Sequence, residues 1–182
     1  MPAILFLCSA NVCRSVMAQA MLSRRLAARA APAAVSSAGL LDGGRRPPPE
    51  VLSVLADRGI DVGGHRSRRV TAADLAAADL ILGLAREHVR HAVVLAPEAW
   101  PRSFTLRELL RRGEQAGARG PGEPLGGWLA RVAGDRGRRD LLGGRACDDV
   151  SDPYGGPVAG YQATASLLDG LTRDLAGLAW PA

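Results

Sequence analysis

The segment Ala3-Ile4-Leu5-Phe6-Leu7-Cys8-Ser9-Ala10-Asn11-Val12-Cys13-Arg14-Ser15 holds a strand, a turn and a helix start within thirteen residues. Ala3 to Leu7 is apolar without alternation, the pattern of a strand buried on both faces of a parallel sheet. A polar loop follows, and Val16 to Ala31 is rich in the helix formers Ala, Leu, Met and Arg, with Pro32 set to close the helix. A loop that leaves a buried strand and enters a helix turns its backbone N–H groups toward one point. The helix dipole adds positive potential there, so the loop is a nest for a phosphate-like dianion.

The rest of the chain repeats the strand-then-helix rhythm. Ala33 to Ser37 is a second short strand, and Gly39 to Pro49 is a loop with a Gly pair and three consecutive prolines. Helices are expected from about Pro49 to Arg58 and after Thr71-Ala72-Ala73-Asp74, which has the form of a capping box. Asp79 to Leu84 is a third strand. A short helix around Arg86 to His91 leads into an expected fourth strand, Ala92 to Leu95. Thr105 is placed to cap a helix running to Arg111, Gly113 to Gly127 is expected to be flexible, and a long helix from Gly160 to Leu178 ends the chain. Such alternation predicts an α/β layered fold of one domain, residues 1–182. Its short parallel sheet of about four strands would be flanked by helices, with a phosphate-binding loop between the first strand and first helix. A longer Gly- and Arg-rich segment occupies about 111–144.

Length and composition agree with one domain: 182 residues, 47% hydrophobic, with 4% aromatics, so aliphatic side chains must fill the core. All 23 basic residues are arginines, and the net charge is +5. They are spread along the chain with no interleaved aromatics, which gives no indication of nucleic-acid binding. Three cysteines, two of them five apart, make a secreted disulfide framework a poor fit. No apolar run suits a signal peptide or a membrane span, so the expected location is cytoplasmic, with export by an unconventional route left open. No cofactor is implied, and no clustered His, Cys and carboxylate set has metal-ligand spacing.

Cys8 closes the strand and Arg14 opens the helix, with five residues between them. This spacing wraps the loop around one phosphate, whose oxygens the Arg14 guanidinium can grip in a bidentate fork. The same field favours a thiolate at Cys8, and Ser15 is placed to donate a hydrogen bond to it. Expulsion of an alkoxide or phenoxide needs a proton donor. Asp152-Pro153-Tyr154 supplies one far along the chain, with Pro153 stiffening the position after the acid and Tyr154 available as an aromatic wall. Cys-x5-Arg alone arises by chance, and Asp-Pro alone is an ordinary turn. Their combination is much more specific.

These residues resemble the low-molecular-weight protein tyrosine phosphatase family, bacterial type. The family pattern Cys-x-Gly-Asn-x-Cys-Arg-Ser-Pro lines up with Cys8-Ser9-Ala10-Asn11-Val12-Cys13-Arg14-Ser15-Val16, matching all but two of its fixed positions, and its Asp-Pro-Tyr with Asp152-Pro153-Tyr154. Ser37-Ala38-Gly39 and His65-Arg66-Ser67-Arg68 match family segments in the same order. The resemblance implies a cysteine nucleophile at Cys8 that forms a cysteinyl-phosphate, with Arg14 binding the phosphate and Asp152 acting as acid and then base. Ser9, Ala10, Asn11, Val12, Cys13, Arg14 and Ser15 would cradle the phosphate. Ser15, Asn11, Ser37 and His65 would support the loop, and Cys13 would sit where it can trap Cys8 as a disulfide. Substrates would be phosphotyrosine in proteins or peptides, and inorganic phosphate and other oxyanions would bind as product or inhibitors.

Two departures stand in the loop. Ala10 replaces glycine, which costs about 1 kcal/mol if that position needs a positive φ. Val16 replaces proline in the first helical turn, with loss of pre-organisation. They motivate a reading as a catalytically weak phosphate-binding regulatory module. A protein-arginine phosphatase is a further alternative within the same resemblance, with a threonine expected where Val12 stands. Arsenate reductase of the same fold would need a mid-chain cysteine pair, and only Cys147 is present.

Overall fold

The computed structural model describes residues 1–31, 33–141 and 146–181. Pro32 and the 142–144 end of the Gly/Arg-rich segment lie outside the described residues. Four strands, β1 (Ala3–Cys8), β2 (Ala34–Gly39), β3 (Leu80–Gly83) and β4 (Ser103–Thr105), form one parallel sheet in the order β2-β1-β3-β4. β1 is therefore internal, with β2 and β3 hydrogen-bonded on its two sides. Its apolar run has the predicted cause. Ile4, Phe6 and Cys8 belong to the larger core, while Leu5 and Leu7 belong to a smaller core on the other face.

Helices α1 (Arg14–Ala28), α2 (Pro49–Ala56), α5 (Leu106–Ala116), α6 (Leu125–Ala133) and α7 (Val158–Ala179) contribute to the larger core. Helices α3 (Ala72–Ala77) and α4 (Arg86–Leu95) contribute Leu75 and Ala92 to the smaller one. Capping follows the sequence. Thr71 and Thr105 each form a reciprocal box, with Asp74 and Glu108 respectively.

Two sequence expectations are corrected. Ala92 to Leu95 is the end of α4, and the fourth strand is Ser103–Thr105. Val89, Ala92 and Ala96 are buried at helical spacing while Val94 is 83% exposed, so the apolar periodicity there is 3.6 and not 2. A three-residue strand flanked by prolines and a cap box leaves almost no pattern to find. The segment from Gly113 to Gly127 is also not a loose loop. α5 runs to Ala116, and buried Trp128 donates from Nε1 to the Gly117 carbonyl at 3.0 Å. Arg131 bonds the carbonyls of Ala116 and Ala118 and pairs with Glu123. Among the described residues, no helix is long and apolar enough to cross a membrane.

Candidate active site

The loop from Cys8 to Arg14 lies where central strand β1 meets α1. α1 starts with no side-chain cap and no acidic residue in its first turn, so no side chain of that turn occupies its leading N–H groups. Asn11 shapes the turn. It takes φ 53°, a region that Asn tolerates better than most residues, and both ends of its side-chain amide are hydrogen-bonded. Its Oδ1 accepts from the Arg68 backbone N–H at 3.0 Å, which fixes the amide orientation. Its Nδ2 then donates to Ser15 Oγ at 2.9 Å and to Ser37 Oγ at 2.8 Å. Its carbonyl accepts from His65 Nε2 at 2.9 Å, so that nitrogen carries the ring proton. Ser37 donates onward to Gln19 Oε1 at 2.5 Å.

This network sets the hydroxyl of Ser15. Because Asn11 donates to Ser15 Oγ, the Ser15 proton is free for Cys8 Sγ, 3.0 Å away. Cys8 and Ser15 are both buried. Ala10 is not among the residues with positive φ, so the strain expected from replacing glycine does not arise there; the left-handed position is Asn11. Val16 is buried in α1 at 2% exposure. Val12 is packed into the larger core and contributes backbone to the loop.

Arg14 is 4% exposed. Its Nη1 donates to the Val150 carbonyl at 3.0 Å, and its Nη2 donates to Asp152 Oδ2 at 2.6 Å and to Ser9 Oγ at 3.3 Å. Buried Nε has no hydrogen-bond partner. Asp152, with its side chain 43% exposed, is thus brought onto the loop from the other end of the chain. Its other oxygen accepts from the Tyr154 N–H at 3.2 Å. An open cleft of about 620 Å³ is lined by Ser9, Arg14, Glu87, Arg90, Asp149 and Asp152, among others. Tyr154 is 53% exposed and stands outside this lining. Arg45 donates to its hydroxyl at 2.6 Å and lies 5.4 Å from its ring centroid.

The loop that carries Asp152 is anchored from behind. Val150 N–H donates to the Leu84 carbonyl at 2.8 Å, and Arg86 N–H to Asp149 Oδ1 at 2.7 Å. The Arg86 side chain is buried between Glu108 (2.8 Å) and Asp148 (3.2 Å), and Glu108 also accepts from Arg136 at 2.8 Å. Burial holds Arg136 down to about 10, against the opposing attraction of Glu108.

Cys13 is buried beside the loop. Burial, then the charges of Asp152 and Cys8, push its thiol up to about 12, so it stays protonated at neutral pH. Cys8, Cys13 and Cys147 are all free. Among the described residues, no group of His, Cys, Asp or Glu is arranged to hold a metal ion.

Sequence reading did not single out Gly39, Gln19, Arg45 or His88. Gly39 had a signal in the Ser37-Ala38-Gly39 match. A Cβ on it would lie 2.9 Å from Asn11 N and Ser9 O, so the loop can sit against β2 only over a glycine. Arg45 and His88 depend on contacts across the chain and leave no local pattern.

An anion nest at a strand-to-helix turn, with a cysteine at its base, an arginine fork and a carboxylate at its rim, is the arrangement of a cysteine-dependent phosphatase. Comparison with known proteins agrees. A family model described as low molecular weight phosphotyrosine protein phosphatase matches residues 3–123. The low molecular weight protein-tyrosine-phosphatase Etp of Escherichia coli K12 is 30% identical over 112 residues, 61% of this chain and 73% of that protein. The protein-arginine-phosphatase of Geobacillus stearothermophilus is 28% identical over 174 residues, 95% of this chain and 93% of the relative. Among solved structures, the low molecular weight protein tyrosine phosphatase from T. tengcongensis superposes with TM-score 0.72 and 30% identity, covering 96% of this chain and 97% of its own. The YwlE arginine phosphatase from G. stearothermophilus does so with TM-score 0.71 and 27% identity, covering 97% and 91%. This chain belongs to the low molecular weight phosphotyrosine protein phosphatase family, and its substrates are accordingly phosphoproteins.

Proposed function

We propose that the chain hydrolyses phosphotyrosine in proteins or peptides in two steps, with Cys8, Arg14 and Asp152 as catalytic residues. The observation that carries the reading is the 2.6 Å contact between Arg14 Nη2 and Asp152, which joins the anion nest to the acid loop. An incoming phosphate takes over Nη2, and the displaced Asp152 carboxyl turns toward the leaving oxygen.

The Cys8 thiolate attacks phosphorus as the phosphorus–oxygen bond to the tyrosine ring breaks, and protonated Asp152 gives its proton to the departing oxygen. In the second step the Asp152 carboxylate takes a proton from water, whose oxygen attacks phosphorus. The sulfur–phosphorus bond breaks, releasing inorganic phosphate and the Cys8 thiolate. Ser15 donates to that sulfur as it leaves. Arg14 and the N–H groups from Ser9 to Ser15 hold the equatorial oxygens, whose charge is greatest in the transition state.

Support for an aromatic substrate is Tyr154, two residues from the acid and steadied by Arg45. A second reading, phosphoarginine, has two supports. Similarity to an arginine phosphatase covers 95% of the chain, and the Glu87 carboxylate reaches within 3.5 Å of Ser9 Oγ at the cleft, where it can face a guanidinium. Turnover on matched phosphotyrosine and phosphoarginine peptides decides between them, since a preference for phosphoarginine overturns the first reading. Failure of the wild-type chain to hydrolyse any aryl phosphate at mildly acidic pH overturns both the acid and nucleophile assignments.

A further inference from the structure

We propose that His88 is a positioning residue that sets the Arg14 fork through the hydroxyl of Ser9, an assignment that rests on the phosphatase reading of the site. His88 lies in the first turn of α4 and is fully buried. The Ala85 backbone N–H donates to its Nδ1 at 2.9 Å, so Nδ1 carries no proton. The neutral ring must then be protonated on Nε2, which lies 3.1 Å from Ser9 Oγ. Burial, then the charges of Arg14 and His91, hold its pKa down to about 3, so the ring stays neutral at working pH. The 3.4 Å approach to Glu87 is consequently not an ion pair.

Ser9 Oγ lies closer to Nε2 than the Glu87 carboxylate does, 3.1 Å against 3.4 Å, and this selects the hydrogen-bond arrangement at Ser9. Its oxygen accepts from His88 Nε2–H and from Arg14 Nη2 at 3.3 Å, which uses both lone pairs. Its proton is left for Glu87 Oε1 at 3.5 Å. The hydroxyl is thereby locked with its lone pairs toward Arg14. Without the His88 donor it can rotate and turn its proton toward the guanidinium, which has no lone pair to receive it.

This lock matters most when substrate is bound. Asp152 holds Nη2 in the free protein, and a phosphate displaces it. Ser9 and the Val150 carbonyl then remain as the protein contacts that fix the plane of the guanidinium. A fork that must meet two oxygens tolerates little rotation.

The test is a double-mutant cycle on the full chain, reading kcat and KM on an aryl phosphate and inhibition by inorganic phosphate. His88→Leu is expected to lower kcat and weaken phosphate inhibition, each by about tenfold, the scale of one buried hydrogen bond. His88→Gln, which restores an N–H donor near the Nε2 position, should recover most of the loss. Ser9→Ala should match His88→Leu, and the double variant should be no worse than either single. Equal losses from His88→Leu in the presence and absence of the Ser9 hydroxyl overturn the proposal. Should His88→Leu not fold, Ser9→Ala decides, and wild-type phosphate inhibition in that variant overturns it. Nitrogen NMR of the imidazole separates the two levels of inference. An Nε2–H resonance that shifts in Ser9→Ala supports the relay, and an Nδ1–H tautomer overturns it, whether or not the wild type turns over. Absent turnover in the wild type counts against the phosphatase reading alone.

Discussion

Arg14 and Asp152 meet at 2.6 Å although 138 residues separate them in the chain. The pair is a competition as well as a contact. The carboxylate occupies a guanidinium nitrogen that a phosphate oxygen needs, and it places negative charge at the mouth of an anion site.

Asp152→Ala should therefore divide binding from chemistry. Turnover of substrates with poor leaving groups is expected to fall by about 10²–10⁴, with a much smaller loss for activated aryl phosphates. Inorganic phosphate should inhibit this variant at least as tightly as the wild type. A leaving-group series with competitive phosphate inhibition checks both, and equal losses across the series would refute the acid role.

Gly39→Ala should harm the site from outside it. The added carbon lies 2.9 Å from Asn11 N and Ser9 O, backbone atoms that can give way only if the loop moves. A stability loss of about 1–3 kcal/mol is expected, with a fall in kcat. Chemical denaturation together with kinetics checks this, and a fully stable, fully active variant would show that the loop has slack.

Cys13 should resist alkylation. Its thiol is pushed up to about 12 by burial and by neighbouring negative charge, so little thiolate forms below pH 9. Peptide mapping after brief iodoacetamide treatment at pH 7.5 should find exposed Cys147 labelled whether or not phosphate is present, and Cys13 unlabelled. Rapid labelling of Cys13 would contradict its environment in the fold.

The neutral His88 predicts acid sensitivity with a defined sign. Its folded pKa, about 3, lies below the ordinary 6.5. Between those values the unfolded chain takes up a proton that the folded chain refuses. The stabilisation is complete above pH 6.5 and is lost as pH falls toward 3, by at most about 1.4 kcal/mol per pH unit. Urea unfolding of the wild type and His88→Gln from pH 7 to pH 4.5 checks it. The variant should show a shallower decline, and parallel declines would rule His88 out as the source.

The first half of the site was legible because its parts are local. An unalternating apolar run, a Cys-x5-Arg loop and a helix-forming stretch lie within thirty residues, and each is dictated by backbone geometry. Asp152 was legible because Asp-Pro-Tyr stayed contiguous. The fourth strand escaped because three residues carry no period, and Ala92 to Leu95 imitates a strand when its helical burial is unseen. Ala10 misled for a related reason. The family's glycine at that position suggested a positive φ there, but the left-handed residue is Asn11, a type that tolerates such a backbone. His88, Arg45 and the Arg86–Glu108–Asp148 cluster depend on which loops meet, information that resides in the tertiary structure.

The position of Asp152 bears on biosynthesis. A ribosome emits the Cys8–Arg14 loop more than a hundred residues before Asp152 and the helix α7 that packs on α1. Buried Arg14 draws its partners Val150 and Asp152 from residues made more than a hundred positions later. Until that segment docks, Cys8 and Arg14 lack the carboxylate proposed to protonate the leaving group. Dephosphorylating activity should switch on only when the segment around Asp152 docks, which makes enzymatic turnover a direct timer of that docking.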